Sequence, residues 1–229
     1  MLLFDLDGTL VQSAPEICAA VNDVLGELAL PAVDVQRVAR WIGAGGRELL
    51  AQALAFSSGS TAEAVRAGSL LNDAQARFEP HYRRRSGSDS PLYPQVREVL
   101  TQLRASGVKL AIVTNKDGVF TRLVLQAHQL QALFDRVVSG DSFARKKPDP
   151  AGILACLEQF GVPAERALFV GDSAIDVAAA RAAGVTVWAL PYGYNMGKPI
   201  QDASPDRVIQ DFSALRDILA PAQDDLPTV

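Results

Sequence analysis

The chain has 229 residues, of which 48% are hydrophobic and 21% are charged, and its formal net charge at pH 7 is −4. These values are typical of a globular protein with a sizeable core, and they exclude a general basic surface for nucleic acid. No apolar run is long enough to cross a bilayer, and no early segment has the pattern of a signal peptide. The two cysteines, Cys18 and Cys156, lie far apart in apolar contexts, so we expect reduced thiols in a cytoplasmic protein.

The first ten residues combine a short apolar run with two carboxylates. The leading apolar residues predict a buried strand, and Asp5 and Asp7 follow at its end. Positions i and i+2 of a strand face the same way, so both carboxylates converge on one ligand if the backbone stays extended. Gly8 permits the left-handed conformation that ends the strand. Because Asp-Gly is equally typical of a plain turn, the rest of the chain decides between the two interpretations.

The segment from residue 14 to residue 86 is predicted to be all-helical and contains no strand candidate. Apolar residues recur there at helical spacing in four stretches. We expect the last of the four helices to run unbroken from Thr61 to about Arg83. A crossover between parallel strands needs far fewer residues than this segment provides. We therefore interpret residues 14–86 as a helical domain inserted after the first strand.

From residue 87 onward, short apolar runs alternate with helical patterns. Strands are predicted at 110–113, 136–138, 167–170 and 185–189, with a weak one at 208–209. Such alternation predicts an α/β fold, in which helices cover both faces of a parallel sheet. Residues 221–229 are expected to form a frayed tail.

Polar side chains follow several of the predicted strands, and in a parallel sheet these strand ends share one edge. The polar residues are Asp5, Asp7, Thr114, Asn115, Lys147, Asp172 and Asp176. Carboxylates combined with a hydroxyl and a lysine suit a hard divalent cation together with a phosphate group. Carboxylates alone would repel a phosphate, whereas a magnesium ion and Lys147 reverse that local field.

The same residues carry a resemblance to the haloacid dehalogenase superfamily. The matching stretches are Asp5-Leu6-Asp7-Gly8-Thr9, Thr114-Asn115, Lys147-Pro148, and Gly171-Asp172-Ser173 followed by Asp176. They occur in the order of that family's four motifs, and the inserted helices resemble its helical cap of the first type. The resemblance implies a Rossmann-like catalytic core from residues 1–13 and 87–229, an all-helical cap domain from residues 14–86, and a phosphatase that uses Mg²⁺.

The resemblance also implies roles for the residues that meet the phosphate group. Asp5 is the expected nucleophile and forms an aspartyl-phosphate, while Asp7 protonates the leaving alkoxide and later deprotonates water. Gly8 gives Asp7 the freedom to change between these tasks and lies in the expected phosphate-binding loop. Thr114, Asn115 and nearby backbone amides are expected to hold the phosphoryl oxygens.

Charge balance at the site is expected to come from a lysine and a metal ion. Lys147 offsets the negative charge of the phosphate and of Asp5. The expected magnesium ligands are Asp5, the backbone carbonyl of Asp7, and Asp172. Asp176 is expected to orient Lys147 or a metal-bound water.

Within the superfamily, the chain is most similar to the bacterial phosphoglycolate phosphatases. The stretches that carry this similarity are Trp41-Ile42-Gly43, Thr114-Asn115-Lys116 and Tyr192-Gly193-Tyr194-Asn195. The similarity implies 2-phosphoglycolate as the substrate. Gly43 and Arg47 then belong to a cap loop that meets the far carboxylate or hydroxyl of the substrate, although a plain helix–helix connection fits that loop equally well.

Other functions stay open at this point. The same core motifs suit a phosphatase for a sugar phosphate, a sugar-acid phosphate or pyrophosphate, and they also suit a sugar phosphomutase. A receiver-type signalling domain accepts phosphate with a similar set of side chains, but it lacks a helical insertion. We expect a small phosphorylated metabolite as the partner, neither nucleic acid nor membrane, and a monomer or a homodimer.

Overall fold

The central sheet of the computed structural model is parallel throughout, and the structure describes residues 1–219. In chain order its strands are β1 (Leu2–Phe4), β2 (Leu110–Val113), β3 (Arg136–Val138), β4 (Leu168–Gly171), β5 (Thr186–Ala189) and β6 (Arg207–Val208). Across the sheet the order is β3-β2-β1-β4-β5-β6, and every neighbouring pair is parallel. The predicted α/β class is confirmed, while the tail expected at residues 221–229 lies outside the described residues.

Strand β1 lies in the middle of the sheet, between β2 and β4. Its side chains alternate between two hydrophobic cores, with Leu2 and Phe4 in one and Leu3 in the other. All three residues are at most 2% exposed, as expected for a strand that is covered on both faces. The carboxyl end of β1 therefore opens at the centre of the sheet edge, where α/β proteins place their ligands.

Two pairs of helices cover the sheet. They are α6 (Val96–Ala105) and α7 (Gly118–Ala127) on one side, and α8 (Ala151–Phe160) and α9 (Ala174–Ala182) on the other. The four α-helices each follow or precede a strand, which gives the alternation that the sequence predicts. Among residues 1–219, none of the helices combines the length and the apolar character that crossing a bilayer requires.

Five helices form the insertion between β1 and the rest of the sheet. They are α1 (Ala14–Glu27), α2 (Val35–Ala39), α3 (Gly46–Ser58), α4 (Ala62–Ala67) and α5 (Leu70–Arg85). These helices share a hydrophobic core of their own, to which Phe120 of α7 also contributes. The fold is therefore a Rossmann-like sheet with an inserted all-helical domain that docks on α7.

The expectation of one unbroken helix from Thr61 to Arg83 is wrong. The helix ends at Gly68, whose backbone is extended (φ −93°, ψ 170°), and α5 begins two residues later. Glycine is a poor helix former, so a single glycine followed by Ser69 is enough to separate the two segments. The side chain of Thr61 caps α4 by accepting a hydrogen bond from Ala64 N at 3.2 Å.

Candidate active site

The first carboxylate of the site, Asp5, directly continues strand β1. Its backbone N–H donates to Val170 O at 3.0 Å, which extends the pairing with β4 by one residue. Its side chain is largely buried and lies against the ammonium group of Lys147, with 2.9 Å between Asp5 Oδ1 and Lys147 Nζ. Burial is the largest influence on this carboxyl group and raises the pKa of Asp5 to about 6, although the Lys147 charge opposes the shift.

The turn after β1 is shaped by the close approach of Asp172. Gly8 has a φ of +88°, and a Cβ atom at this position would lie 2.3 Å from Asp172 Oδ2. A Cβ on Gly193 would lie equally close to the Asp172 carboxylate. Both positions therefore require glycine, because any side chain would displace Asp172. The predicted phosphate-loop residue Gly8 thus lies beside the predicted metal ligand.

Asp172 is held in one orientation by two donors. Thr9 Oγ1 donates to Asp172 Oδ1 at 2.6 Å, and the backbone N–H of Tyr194 donates to Asp172 Oδ2 at 2.5 Å. Burial, followed by the charges of Asp176 and Asp5, raises the pKa of Asp172 well above its usual value. A bound cation would relieve this unfavourable crowding of carboxylates.

Asp176 links the start of helix α9 to Lys147. Its Oδ2 atom accepts hydrogen bonds from the backbone N–H groups of Asp172 and Ser173 and from Ser173 Oγ, at 2.7 to 3.1 Å. Its Oδ1 atom accepts from Lys147 Nζ at 2.7 Å. Together with the Ser173 cap, these contacts form a capping box at the N-terminus of α9. Asp176 therefore orients Lys147, in the place that the sequence assigns to it.

Lys147 is the buried cation of this acidic cluster. Burial lowers the pKa of its ammonium group, but the carboxylates of Asp176 and Asp5 outweigh burial, so the pKa lies above its ordinary value. The side chain therefore carries a positive charge where a phosphate group would arrive. Its surroundings match the sequence prediction that Lys147 offsets the charge of Asp5.

The acidic cluster has the composition of a site for a hard cation. Carboxylate oxygens of Asp5, Asp172 and Asp176 lie within 4.8 Å of one another, and all three residues are buried. Asp5 pairs with Lys147 through one of its oxygens, Oδ1. The oxygens of Asp176 already accept hydrogen bonds from Lys147 and from Ser173, the cap of α9. Asp5 and Asp172 are therefore the side chains that fit Mg²⁺, which prefers a few carboxylates and completes its shell with water and phosphate.

A cavity lies between the inserted helices and the sheet edge. It contains four of the predicted site residues from the core, namely Asp5, Asp7, Thr114 and Asn115, and also Gly43 from the insertion. The Asn115 side chain donates to Gly43 O at 2.8 Å and to Lys147 O at 2.9 Å. Asn115 therefore ties the Gly43 loop to the loop that carries Lys147.

The structure places Arg47 apart from the other predicted residues. It lines a neighbouring cavity of about 450 Å³, and its guanidinium group donates to Gln75 Oε1 at 2.6 Å. The two cavities share Gly46, Phe78 and Phe120 in their walls. Arg47 is therefore near the acidic cavity, while its charge is directed to the cap surface.

Sequence reasoning gave no role to two residues near Asp7, namely Lys116, which contacts Asp7, and Tyr82, which contacts Lys116. The ammonium nitrogen of Lys116 lies 2.9 Å and 3.0 Å from the two carboxylate oxygens of Asp7, and it also donates to the hydroxyl of Tyr82. Lys116 directly follows Thr114-Asn115, so its position beside a motif was the available signal. Tyr82 belongs to α5 and is separated from Asp7 by most of the insertion, so no local pattern points to it.

A sequence model of the family described as haloacid dehalogenase-like hydrolase matches residues 2–190, a range that includes Asp5, Lys147 and Asp172. The chain belongs to the haloacid dehalogenase-like hydrolase family. The resemblance carried by the four motifs is therefore confirmed. In this haloacid dehalogenase-like hydrolase, the motif residues meet at the carboxyl edge of the sheet, as the order of the motifs predicts.

Similar proteins match this haloacid dehalogenase-like chain over nearly its whole length. It is 40% identical over 223 residues to a phosphoglycolate phosphatase from Aliivibrio fischeri, with 97% of each protein covered. It is 40% identical over 221 residues to phosphoglycolate phosphatase 1 from Pseudomonas aeruginosa, which covers 96% of this chain and 78% of that protein. A crystal structure of a predicted phosphoglycolate phosphatase from Haemophilus somnus has a TM-score of 0.90 and 34% identity, with 96% of this chain and 97% of that one covered.

Proposed function

We propose that the protein is a magnesium-dependent phosphatase that hydrolyses 2-phosphoglycolate through an aspartyl-phosphate. The observation that carries the proposal is the environment of Asp5, whose buried carboxylate lies 2.9 Å from Lys147 Nζ and belongs to the same cluster as Asp172. An oxygen in that environment is available to a cation and to an electrophilic phosphorus atom. Asp7 lines the same cavity and is the second carboxylate that the reaction needs.

The first half of the reaction transfers the phosphoryl group to the protein. A carboxylate oxygen of Asp5 attacks phosphorus, and the bond between phosphorus and the ester oxygen breaks. Protonated Asp7 gives its proton to the departing alkoxide, so glycolate leaves as the alcohol. Asp5 and Asp7 both line the cavity, which supports their action on one bound substrate.

The second half releases the phosphate. Asp7, now ionised, takes a proton from water, and the oxygen of that water attacks phosphorus. The bond between phosphorus and the Asp5 oxygen breaks, which restores the carboxylate and yields inorganic phosphate. One water is consumed in each turnover, and Asp7 regains the proton that it gave to the alkoxide.

Binding of the phosphoryl oxygens is assigned to side chains and amides around Asp5. Thr114 and Asn115 are buried at the end of β2, and Lys147 supplies a positive charge beside Asp5. Asp5, Asp172 and the backbone carbonyl of Asp7 would hold Mg²⁺, and the ion when bound neutralises negative charge on the phosphate. Preorganised donors and a buried cation are the features that stabilise the charge developing on a transferred phosphoryl group.

The choice of 2-phosphoglycolate is supported by the names of the similar proteins from Aliivibrio fischeri and Pseudomonas aeruginosa. The position of the cavity between the insertion and the sheet edge suits a small metabolite. Gly43 and Arg47 are proposed to meet the carboxylate end of the substrate. The buried free thiols of Cys18 and Cys156 accord with a cytoplasmic enzyme, and the expectation of a monomer or homodimer stays a prediction.

Release of inorganic phosphate from a panel of esters tests the proposal. The panel contains 2-phosphoglycolate, sugar phosphates, sugar-acid phosphates and pyrophosphate, each measured with Mg²⁺ and with excess chelator. We expect the highest kcat/KM for 2-phosphoglycolate and loss of turnover in chelator. Asp5→Asn should abolish turnover, whereas Asp217→Asn, a change at an exposed carboxylate, should not.

Three results would contradict the proposal in different ways. Turnover that persists in Asp5→Asn would exclude Asp5 as the nucleophile. Preference for a sugar phosphate or pyrophosphate would keep the mechanism and replace the substrate. A stable phosphoprotein without turnover would favour a receiver-type domain, and activity that depends on a bisphosphate primer would favour a mutase.

A further inference from the structure

Lys116 is a buried lysine beside the proposed acid and base, and its ammonium nitrogen has three contacts within hydrogen-bond distance. An ammonium group has three N–H donors. Two contacts reach the carboxylate of Asp7, at 2.9 Å and 3.0 Å, and the third reaches the hydroxyl of Tyr82. The Lys116 side chain is only 3% exposed, so solvent does not compete for these contacts. Lys116 therefore fixes both oxygens of the Asp7 carboxylate.

The partner of Lys116 on the insertion is itself held by a buried carboxylate. Tyr82 OH donates to Glu16 Oε1 at 3.3 Å, and the backbone N–H of Gly87 donates to Glu16 Oε2 at 2.8 Å. Glu16 lies in the first turn of α1 and Gly87 directly follows α5, so the two residues mark the two ends of the insertion. Tyr82 thus accepts a hydrogen bond from Lys116 and donates one to Glu16.

The directions of the hydrogen bonds from Lys116 to Tyr82 and from Tyr82 to Glu16 are consistent with a protonated Tyr82 hydroxyl. Burial, followed by the charges of Asp7 and Glu16, raises the pKa of the Tyr82 phenol well above its usual value. The hydroxyl therefore keeps its proton, which it donates to Glu16, and its oxygen is free to accept from Lys116. Packing of the Tyr82 ring on Phe120, with 4.6 Å between ring centroids, fixes its position at the domain boundary.

We propose that Lys116 is the positioning residue of Asp7, and that Tyr82 of the insertion holds Lys116 in the orientation that this task requires. The inference rests on the proposed phosphatase function, in which Asp7 handles the protons. Asp7 and Lys116 belong to the core, whereas Tyr82 belongs to the insertion. Lys116 therefore holds both oxygens of Asp7 in place only when the insertion rests on the core.

A second task for Lys116, binding the carboxylate end of the substrate, is disfavoured by the same contacts. The Lys116 side chain is only 3% exposed, and its ammonium group already contacts both oxygens of Asp7 and the hydroxyl of Tyr82. A substrate carboxylate would have to displace one of these partners, and a displaced Asp7 would be left without its cation. A role in positioning Asp7, in contrast, requires no change in these contacts.

The test compares leaving groups. In the proposed reaction, Asp7 protonates the leaving oxygen, which matters for an alkyl ester and little for p-nitrophenyl phosphate, whose leaving group departs without a proton. The measured quantity is kcat/KM, which reports the steps up to formation of the aspartyl-phosphate. Three esters are used: 2-phosphoglycolate, ethyl phosphate as an alkyl ester without a carboxylate, and p-nitrophenyl phosphate.

We expect Lys116→Met to lower kcat/KM for both alkyl esters by about 10- to 100-fold more than for p-nitrophenyl phosphate, since misplacing a reacting group by about 1 Å has effects of that size. Tyr82→Phe removes only the hydroxyl and should shift the ratio in the same direction by a smaller factor. Lys116→Arg should restore part of the ratio. Lys109→Met, at an exposed lysine, and Tyr93→Phe, at a tyrosine that does not contact Lys116, should leave the ratio unchanged.

The outcomes separate this inference from the proposed function. Equal losses for all three esters, or a loss confined to 2-phosphoglycolate, would overturn the positioning role, and the second pattern would assign Lys116 to the substrate carboxylate. A wild-type protein that hydrolyses none of the esters would overturn the phosphatase proposal itself. If Lys116→Met does not fold, as judged by circular dichroism, Tyr82→Phe decides, because an unchanged ratio in that variant contradicts the inference.

Discussion

The ammonium nitrogen of Lys147 lies 2.9 Å from an oxygen of Asp5, and both side chains are buried. On its other side the same nitrogen lies 2.7 Å from Asp176 Oδ1. A single cation is thus shared by two carboxylates, and Asp172 adds a third within the same cluster. The energetic consequences of this arrangement are measurable independently of catalysis.

Replacement of Lys147 by methionine should destabilise the metal-free protein. The change leaves buried carboxylates without their cation, and breaking a buried ion pair from one side costs about 3 to 5 kcal/mol. The loss in the free energy of unfolding should be smaller at about pH 5 than at about pH 8, because unpaired carboxylates take up protons at the lower pH. Urea denaturation at both pH values measures the difference.

The control for Lys147→Met is Lys109→Met, since Lys109 is 51% exposed and pairs with Asp135 at the surface. Exposed pairs contribute about 0 to 1 kcal/mol, so this variant should stay close to wild type at both pH values. A loss in Lys147→Met that is equally large at the two pH values would contradict the account of carboxylates left without a cation.

Magnesium should stabilise the protein more at about pH 7.5 than at about pH 5. In the metal-free protein the pKa of Asp5 is raised from 3.8 to about 6. A carboxyl group whose pKa is higher in the folded than in the unfolded state makes folding less favourable as it ionises, so stability falls as the pH rises from about 4 to about 6. A cation offsets that loss only when the carboxylates are ionised, because metal ligands must be deprotonated.

Thermal unfolding with Mg²⁺ and with chelator measures this effect as the shift in Tm. Asp172→Asn should remove most of the shift, because it replaces a charged ligand of the cluster. Asp217→Asn, at an exposed position, should keep it. The same shift at both pH values, or a full shift in Asp172→Asn, would contradict the assignment of the metal ligands.

The sequence predicts the sheet edge well because its geometry follows from the topology. Once the strands are parallel, Asp5, Thr114 and Asp172 must follow strands that end on the same side. The prediction therefore needs only strand positions, which continuous apolar runs indicate clearly. The contact between Lys147 and Asp176 joins residues 29 positions apart, and it is one of the two alternatives that the family resemblance implies for Asp176.

Contacts between the insertion and the core could not be predicted in the same way. Tyr82 of the insertion and Lys116 of the core are separated by 34 positions and meet across the domain boundary. Helical periodicity shows which face of α5 is apolar, but it does not show which polar group on that face meets the core. For the same reason, the sequence does not show that Arg47 donates to Gln75, and its contact with the substrate stays a prediction.

Gly26→Ala should stabilise the insertion. Gly26 lies inside α1, and a Cβ atom at this position would have nothing within 4 Å. Alanine loses less conformational entropy than glycine when a helix forms, which corresponds to about 0.5 to 1 kcal/mol. The expected result is a higher urea midpoint with an unchanged denaturant slope and unchanged activity, and a lower midpoint would show that the position is strained.

Gly193→Ala should weaken magnesium binding without unfolding the protein. The added Cβ atom would lie 2.3 Å from the Cβ and Oδ2 atoms of Asp172, a distance at which one of the two groups must move. Movement of Asp172 disturbs its hydrogen bonds to Thr9 and Tyr194, and with them the geometry of the metal ligands. Titration of activity against Mg²⁺ should give a higher half-saturating concentration. We expect an increase of about 10- to 100-fold, which is the usual effect of losing the hydrogen bonds that support a metal ligand. Gly26→Ala also adds one methyl group and is the matched control, which should show the wild-type half-saturating Mg²⁺ concentration. An unchanged half-saturating concentration in Gly193→Ala would mean that Asp172 does not bind the metal or that the loop around Gly193 moves instead.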